Sequence, residues 1–137
     1  MKKRIETTHD IAAPAASGWA HIRTGEAVDA WLPPITACRV EGNRRYCEAG
    51  AARLSETIES SDDDTMTFRY SIQEQNLLPV SDIAGTMRVE AIDTDRSRLH
   101  WDADFEVADE ATFKQIEPSL YELYAAGAHG LGALALA

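Results

Sequence analysis

Lysine is scarce in this chain: three stand among 137 residues, Lys2, Lys3 and Lys114. Schiff-base chemistry therefore has almost no nucleophile to draw on. Cysteine is scarcer still, and Cys38 and Cys47 form neither a disulfide framework nor a Cys-x-x-Cys motif. The four histidines, His9, His21, His100 and His129, share no ligand spacing of a helix or strand, so no metal site is expected. No glycine-rich strand-to-helix turn is available to cradle a phosphate or dinucleotide, and no cofactor is expected. The longest uncharged apolar stretch, Leu123 to Ala137, falls short of the ~20 residues of a membrane span. The N-terminal MKKRIETTHDI lacks the ~7–15-residue apolar run of a secretory signal, so a cytoplasmic location is expected. Positive charge is also in deficit: 13 Lys and Arg face 23 Asp and Glu, for a net charge of −10. Such a surface repels nucleic-acid phosphates and anionic membranes. The basic clusters Lys2-Lys3-Arg4 and Arg44-Arg45 are too small to override it.

What is present is ordinary globular composition, 45% hydrophobic and 26% charged, in a length that holds one domain and a real core. No linker or repeat divides residues 1–137. A first strand spans Lys3–Ile11, with Ile5, Thr7, His9 and Ile11 on one face. Pro14 opens a short helix carrying Trp19 and Ile22, which Gly25 ends. A second short helix, Glu26–Trp31, runs into Pro33-Pro34. From Ile35 to Val107 the hydrophobic period is two. Strands are expected at Ile35–Glu41, Arg44–Glu48, Ala52–Glu59, Thr65–Glu74, Val80–Ile92 and Arg98–Val107. Gly42-Asn43 marks one turn, and Ser60 to Asp64 reads as a solvated one. In the last strand Leu99, Trp101, Ala103, Phe105 and Val107 alternate with His100, Asp102, Asp104 and Glu106. That alternation predicts an antiparallel sheet with one covered and one wet face.

The cover comes last. Asp109 is a plausible N-cap, and Phe113, Ile116, Leu120, Leu123, Tyr124, Gly127, Leu131 and Leu134 recur at helical spacing. Pro118 is expected to bend or interrupt this helix. The order predicts an α+β helix-grip: a curved seven-stranded antiparallel sheet around one long C-terminal helix, with two short helices after strand 1. One helix cannot fill so wide a concavity, so an internal hydrophobic cavity is expected. Gly127, Gly130 and Gly132 are read as leaving part of that space.

Several segments then resemble a known family. Ile11-Ala12-Ala13-Pro14-Ala15 with Trp19, then Trp31-Leu32-Pro33 and Cys38-Arg39-Val40-Glu41-Gly42, are similar to the START-like SRPBCC superfamily. So are Leu78-Pro79-Val80, Trp101 with Phe105, and the closing helix with Tyr124 and Gly127. The resemblance is to its polyketide cyclase/dehydrase-like branch and covers nearly the whole chain. It implies a helix-grip fold with a hydrophobic ligand cavity. The chain departs from that pattern in a short Asn43–Gly50 segment and in Ile83, where an aromatic residue is expected.

Strand parity selects the candidate chemistry. Glu56 shares its face with Leu54 and Ile58, and an inward carboxyl in an apolar cavity suits a general acid or base. The resemblance adds that relatives carry a Glu at the matching place. The competing reading of Glu56 is an ion pair with Arg69 or Arg45. Tyr70, inward between Phe68 and Ile72, is a candidate donor to a substrate carbonyl. Trp31, Cys38, Phe68, Met87, Trp101, Phe105, Leu120 and Tyr124 are candidates for the ligand-binding wall. His9 and Asp82 are weaker candidates at the mouth. Counting back from a two-residue Gly42-Asn43 turn puts Cys38 opposite Cys47 as a non-hydrogen-bonded pair. Two adjacent reduced thiols are expected there, and a redox-sensitive bridge is the other outcome.

Two functions follow. One is a cofactor-independent cyclase or dehydratase acting on a polyketide-like carbonyl substrate, with Glu56 and Tyr70 handling protons. The other is a non-catalytic carrier of a hydrophobic small molecule or lipid. The partner expected in both is a hydrophobic small molecule, not nucleic acid, and the protein itself a monomer or homodimer.

Overall fold

The computed structural model describes residues 1–137. Strand β1 (Lys2–Ile11) leads into helix α1 (Ala15–Ile22) and then a single 3₁₀ turn, Val28–Ala30. Six strands follow: β2 (Ala37–Glu41), β3 (Arg44–Ala49), β4 (Ala52–Asp62), β5 (Thr67–Gln75), β6 (Val80–Ala91) and β7 (Ser97–Val107). Helix α2 (Glu110–Leu136) closes the chain. All strand pairs are antiparallel in one sheet of order β1-β7-β6-β5-β4-β3-β2. The last-formed strand of the meander thus pairs with the first strand of the chain, and β1 and β2 are the two edges.

The alternation in β7 has its predicted cause. Leu99, Trp101, Ala103, Phe105 and Val107 are buried, while Asp102 and Asp104 face outward and pair with Arg4 of β1. Helix α2 lies over β1 and β7, and α1 packs on α2 and β6. Ile5, Leu99 and Leu131 are almost fully enclosed between them. At the helix start the Asp109 carboxylate accepts the Thr112 N–H at 2.8 Å, a side-chain N-cap.

Four local expectations differ from what forms. The second short helix is only the Val28–Ala30 turn, since a six-residue stretch stopped by Pro33-Pro34 cannot offset helix nucleation. Pro118 does not interrupt α2; Pro118 and Lys114 are both exposed, so the carbonyl that loses its partner faces water. Strand β4 continues through Asp62, which confines the turn to the residues after it. Finally, Gly127 and Gly130 of α2 do not leave empty space, whereas Gly132 has only Ile11 within 4 Å. A Cβ on Gly130 would collide with the backbone carbonyl of Trp31, and one on Gly127 would come within 2.9 Å of both Leu32 and Trp101. They let the helix approach the Trp31-Leu32 segment closely, which closes the fold rather than opening it.

Candidate functional site

Beside the part of the sheet that α2 covers, an apolar cavity of about 100 Å³ remains. Its wall comes from β3 to β7, α2 and the segment around Trp31. Trp101 is the central panel: Tyr124 of α2 stacks on it at 4.0 Å between ring centroids, and Trp31 meets it edge-on at 5.7 Å. Leu54, Ile72, Leu77 and Leu78 complete the wall on the other side.

Few polar atoms reach this space. Glu56 and Arg45, both buried, are cross-strand partners on β4 and β3. Arg45 Nε donates to Glu56 Oε2 at 2.9 Å and Nη2 donates to Oε1 at 3.1 Å, a bidentate pair. Arg45 Nη1 also donates to the Gly25 carbonyl, and the guanidinium lies 5.4–5.5 Å from the Phe68 and Tyr70 ring centroids. Glu56 is therefore not an isolated carboxyl in apolar surroundings; the ion-pair reading holds, with Arg45 as partner and Arg69 exposed on the other face.

Tyr70 reaches the cavity because of a glycine. Its register partner on β6 is Gly85, and a Cβ there would collide with the Tyr70 ring and hydroxyl. Trp101 Nε1 donates to Tyr70 Oη at 3.0 Å, and the Tyr124 hydroxyl lies beside it. Burial pushes both phenols above their ordinary pKa, Tyr124 well above it, so both stay protonated as donors.

Cys38 and Cys47 take the predicted register, opposite one another with Cα atoms 4.2 Å apart, but they are not reduced thiols: the two are joined in a disulfide. Adjacency on a non-hydrogen-bonded pair brings the sulfurs within bonding reach, which the turn count alone did not decide. Cys47 lines the cavity and Cys38 does not, while both border a second groove beside Tyr46 and Arg53. The Cys47 sulfur is 3.5 Å from Glu56 Oε2 and, without a proton, makes no hydrogen bond there.

Of the ten residues expected at the site, eight line this cavity: Glu56, Tyr70, Trp31, Met87, Trp101, Phe105, Leu120 and Tyr124. Two do not. Cys38 is on the far side of its disulfide, and Phe68, although inward by parity, is buried under Arg45 and near Gly25. His9 stays on β1, accepting or donating to Thr7 Oγ1 at 3.0 Å, and burial lowers its pKa. Asp82 is exposed at a β6 irregularity with φ 50° and does not line the cavity.

Gln75 was not anticipated. Its side-chain amide donates to the Leu78 and Val80 carbonyls at 2.8 and 2.7 Å, and its oxygen accepts the Leu77 and Leu78 N–H groups at 2.9 Å. One side chain thus shapes the loop that carries Leu77 and Leu78 at the rim. A glutamine just before Asn-Leu-Leu-Pro is the only sequence hint, and it has no period to read. Arg45, one of the two partners expected for Glu56, was legible because it shares the parity of Cys47.

No three His, Cys, Asp or Glu side chains gather closely enough to hold a metal ion. No helix is long and apolar enough to cross a membrane.

Sheet, closing helix and intervening cavity define a helix-grip, START-like fold. A START superfamily protein from Mycobacterium smegmatis has the same fold at TM-score 0.78 and 15% identity, over 93% of this chain and 94% of that one. Residues 2–135 match the polyketide cyclase / dehydrase and lipid transport family, and the chain belongs to it. Protein XoxI from Bacillus cereus is similar at TM-score 0.85 and 20% identity, covering 97% of this chain and 95% of that one. Norcoclaurine synthase from Thalictrum flavum, solved in complex with dopamine and hydroxybenzaldehyde, is similar at TM-score 0.73 and 18% identity, over 99% and 87%. No functionally curated protein matches the chain.

Proposed function

We propose that the protein binds a hydrophobic small molecule in the Trp101 cavity and moves protons on its carbonyl group without a cofactor, in the manner of a cyclase or dehydratase. The observation that supports this most is the convergence of Tyr70 and the Arg45–Glu56 pair on one otherwise apolar space. Trp101 already donates to Tyr70 Oη, so the phenolic proton is left to point elsewhere. Directed at a substrate carbonyl, it would stabilise the enolate-like charge that forms when an adjacent C–H loses its proton. Glu56 would take that proton: a carboxylate has about four lone-pair positions, and Arg45 occupies two of them. Arg45 then holds the carboxylate in place while the apolar wall orients the substrate. Norcoclaurine synthase, which shares this fold, was solved in complex with two small aromatic molecules, dopamine and hydroxybenzaldehyde, and that supports a small-molecule reading here.

One observation favours the carrier reading instead. The bidentate pair is the geometry of a structural ion pair, and a carrier needs only the apolar wall. The two readings separate on a methyl ketone probe. Acetophenone in D₂O should exchange its methyl protons faster with the protein than without it, followed by NMR. Glu56→Gln should abolish the acceleration and Tyr70→Phe should reduce it, with binding kept. Binding without acceleration in the wild type would leave the carrier.

A cytoplasmic location belongs to this proposal as well. It requires the Cys38–Cys47 bond to be transient, since reducing compartments keep such pairs as thiols, whereas a lasting bond belongs to an oxidising compartment.

A further inference from the structure

One short contact at the site plays no part in the proton transfer proposed above. The Cys47 sulfur lies 3.5 Å from Glu56 Oε2, close enough for a thiol to donate, yet in the disulfide it carries no proton. Strand register builds this contact in. On the β3–β4 ladder Cys47 stands opposite Leu54 and Glu56 opposite Arg45, so Cys47 and Glu56 are diagonal neighbours on one buried face. Arg45 fixes the carboxylate with two hydrogen bonds, at 2.9 and 3.1 Å, which holds Oε2 beside the sulfur.

The two sulfurs differ in access. Cys47 is 3% exposed, whereas Cys38 is half-buried on β2, an edge strand with no neighbour beyond it. An attacking thiolate therefore reaches Cys38, and Cys47 is the leaving group. One thiolate of a dithiol reductant bonds to Cys38 Sγ, the S–S bond breaks, and its electron pair leaves on Cys47 Sγ, which takes a proton. The second thiol of the reductant then attacks the reductant's own sulfur in the mixed disulfide and releases Cys38. The dithiol is oxidised by two electrons, and its two protons end on the two cysteines. Five residue pairs on either side of the Gly42-Asn43 turn, Ala37 with Glu48 through Glu41 with Arg44, keep the hairpin in register when the bond opens.

We infer that Cys38–Cys47 is a redox modification site acting on Glu56: a dithiol opens the bond at Cys38, and the thiol left on Cys47 donates to Glu56 Oε2. Arg45 already fills two of about four lone-pair positions on the carboxylate. The thiol fills a third and makes Glu56 a weaker base, so the oxidised protein is the form with the open base. The control of catalysis rests on the reading of Glu56 as proton acceptor; the thiol contact does not.

Two single variants separate this from a plain staple, because both remove the bond and only one keeps the donor. Cys38→Ala leaves the Cys47 thiol, and Cys47→Ala removes it. The infrared spectrum of full-length Cys38→Ala has a single S–H stretch, which should lie below that of an alkyl thiol in apolar solvent. Exchange of acetone methyl protons in D₂O should run about two- to tenfold slower with Cys38→Ala than with Cys47→Ala, the worth of one weak hydrogen bond. Adding a dithiol should slow the wild type by the same factor and leave Cys47→Ala unchanged. A Cys47 stretch at the free-thiol position overturns the inference whatever the rates. Equal rates in the two variants, both above background, would make the bond a staple alone. If neither the wild type nor the variants accelerate exchange, the proton-acceptor reading fails and the control of Glu56 with it, while a shifted stretch still upholds the contact. Should Cys38→Ala not fold, the fully reduced wild type supplies the Cys47 stretch beside that of Cys38.

Discussion

The two halves of the concave face are built on different principles. Under α2, the β1–β7 half is sealed by apolar side chains without a buried charge: Ile5, Leu99, Ala103 and Leu131 are at most 2% exposed, and the buried Thr7 and Ser97 hydroxyls donate to backbone carbonyls. The β3–β5 half has no helix directly over it, and its apolar residues Leu54, Ile58 and Ile72 are only partly buried. There, apart from Phe68 and Thr67, the buried positions go to an ion pair, one cysteine of a disulfide and a tyrosine. The difference teaches where a helix-grip protein keeps its chemistry. A single helix can dry one edge of a seven-stranded sheet, while the polar groups collect on the uncovered strands, beside a void that reaches under α2 to Trp101 and Tyr124.

Breaking the ion pair should have the largest effect. Arg45→Met leaves Glu56 buried and unpaired, which should cost about 3–5 kcal/mol. Leu99→Ala in the sealed half should cost about 2–5 kcal/mol through its cavity. Urea unfolding of both variants tests the contrast, with Arg45→Met/Glu56→Gln as the control. If the pair is what holds the uncovered half, the double variant should recover most of the loss. A loss below about 1 kcal/mol for Arg45→Met would mean that this half is simply less packed.

Next in size is the disulfide. The bond closes a loop of nine residues' separation, for which chain entropy predicts a stabilisation of about 2–3 kcal/mol. Cys38→Ala/Cys47→Ala should lower stability by that amount under oxidising conditions and have no effect in strong reductant, measured by thermal unfolding. No comparable staple exists in the sealed half, so reductant should leave its amide protection largely unchanged.

These two features also mark how far the sequence could be read. The disulfide register was legible because a two-residue turn fixes every pair behind it, and the turn at Gly42-Asn43 is where it was expected. Bond formation was not, since parity says which residues face each other and not the chemistry between them. The same limit explains Phe68. Parity set it inward with Tyr70, yet facing inward does not distinguish the cavity from the core beneath it, and Arg45 lies over its ring. Strand β7 was read well because one of its faces is uniformly covered. Gly127 and Gly130 were read with the wrong sign, because their meaning depends on what approaches the helix, here the Trp31-Leu32 segment, from about 100 residues away. Gln75 left no trace, since its four hydrogen bonds go to the backbone of its own loop.

A smaller effect should come from Gly85→Ala. The added methyl would displace the Tyr70 ring, and overpacking of this kind costs about 1–3 kcal/mol. Because Tyr70 accepts the Trp101 N–H, the Trp101 indole resonance should shift while the Trp19 resonance does not. The same substitution at Gly132, where the nearest atom would be 3.8 Å away, should leave both unmoved. An unshifted Trp101 in Gly85→Ala would mean that the uncovered half yields as easily as a loop.

The smallest effect concerns the point where the halves are tied. Asp63, in the turn between β4 and β5, accepts from Trp19 Nε1 and from Arg23 Nε and Nη2 of the α1 segment. The Arg23 hydrogen bonds, then the Trp19 one, hold its carboxyl down from the ordinary 3.8 to about 2. A carboxyl depressed in the folded state stabilises the fold above its unfolded pKa. That contribution is lost as the pH falls from about 4 to about 2, when the proton displaces the ion pair. The carboxyl is fully exposed, so salt should weaken the effect. In Asp63→Asn the acid limb of the stability curve should be flatter between those pH values, and the Trp19 indole resonance should stop titrating there. Since α1 packs on α2 and β6, a flattening confined to Trp19 and absent from the Cys38–Cys47 hairpin would make Asp63 a latch on the covered side alone, whereas parallel loosening of the hairpin would make the latch what couples the two halves.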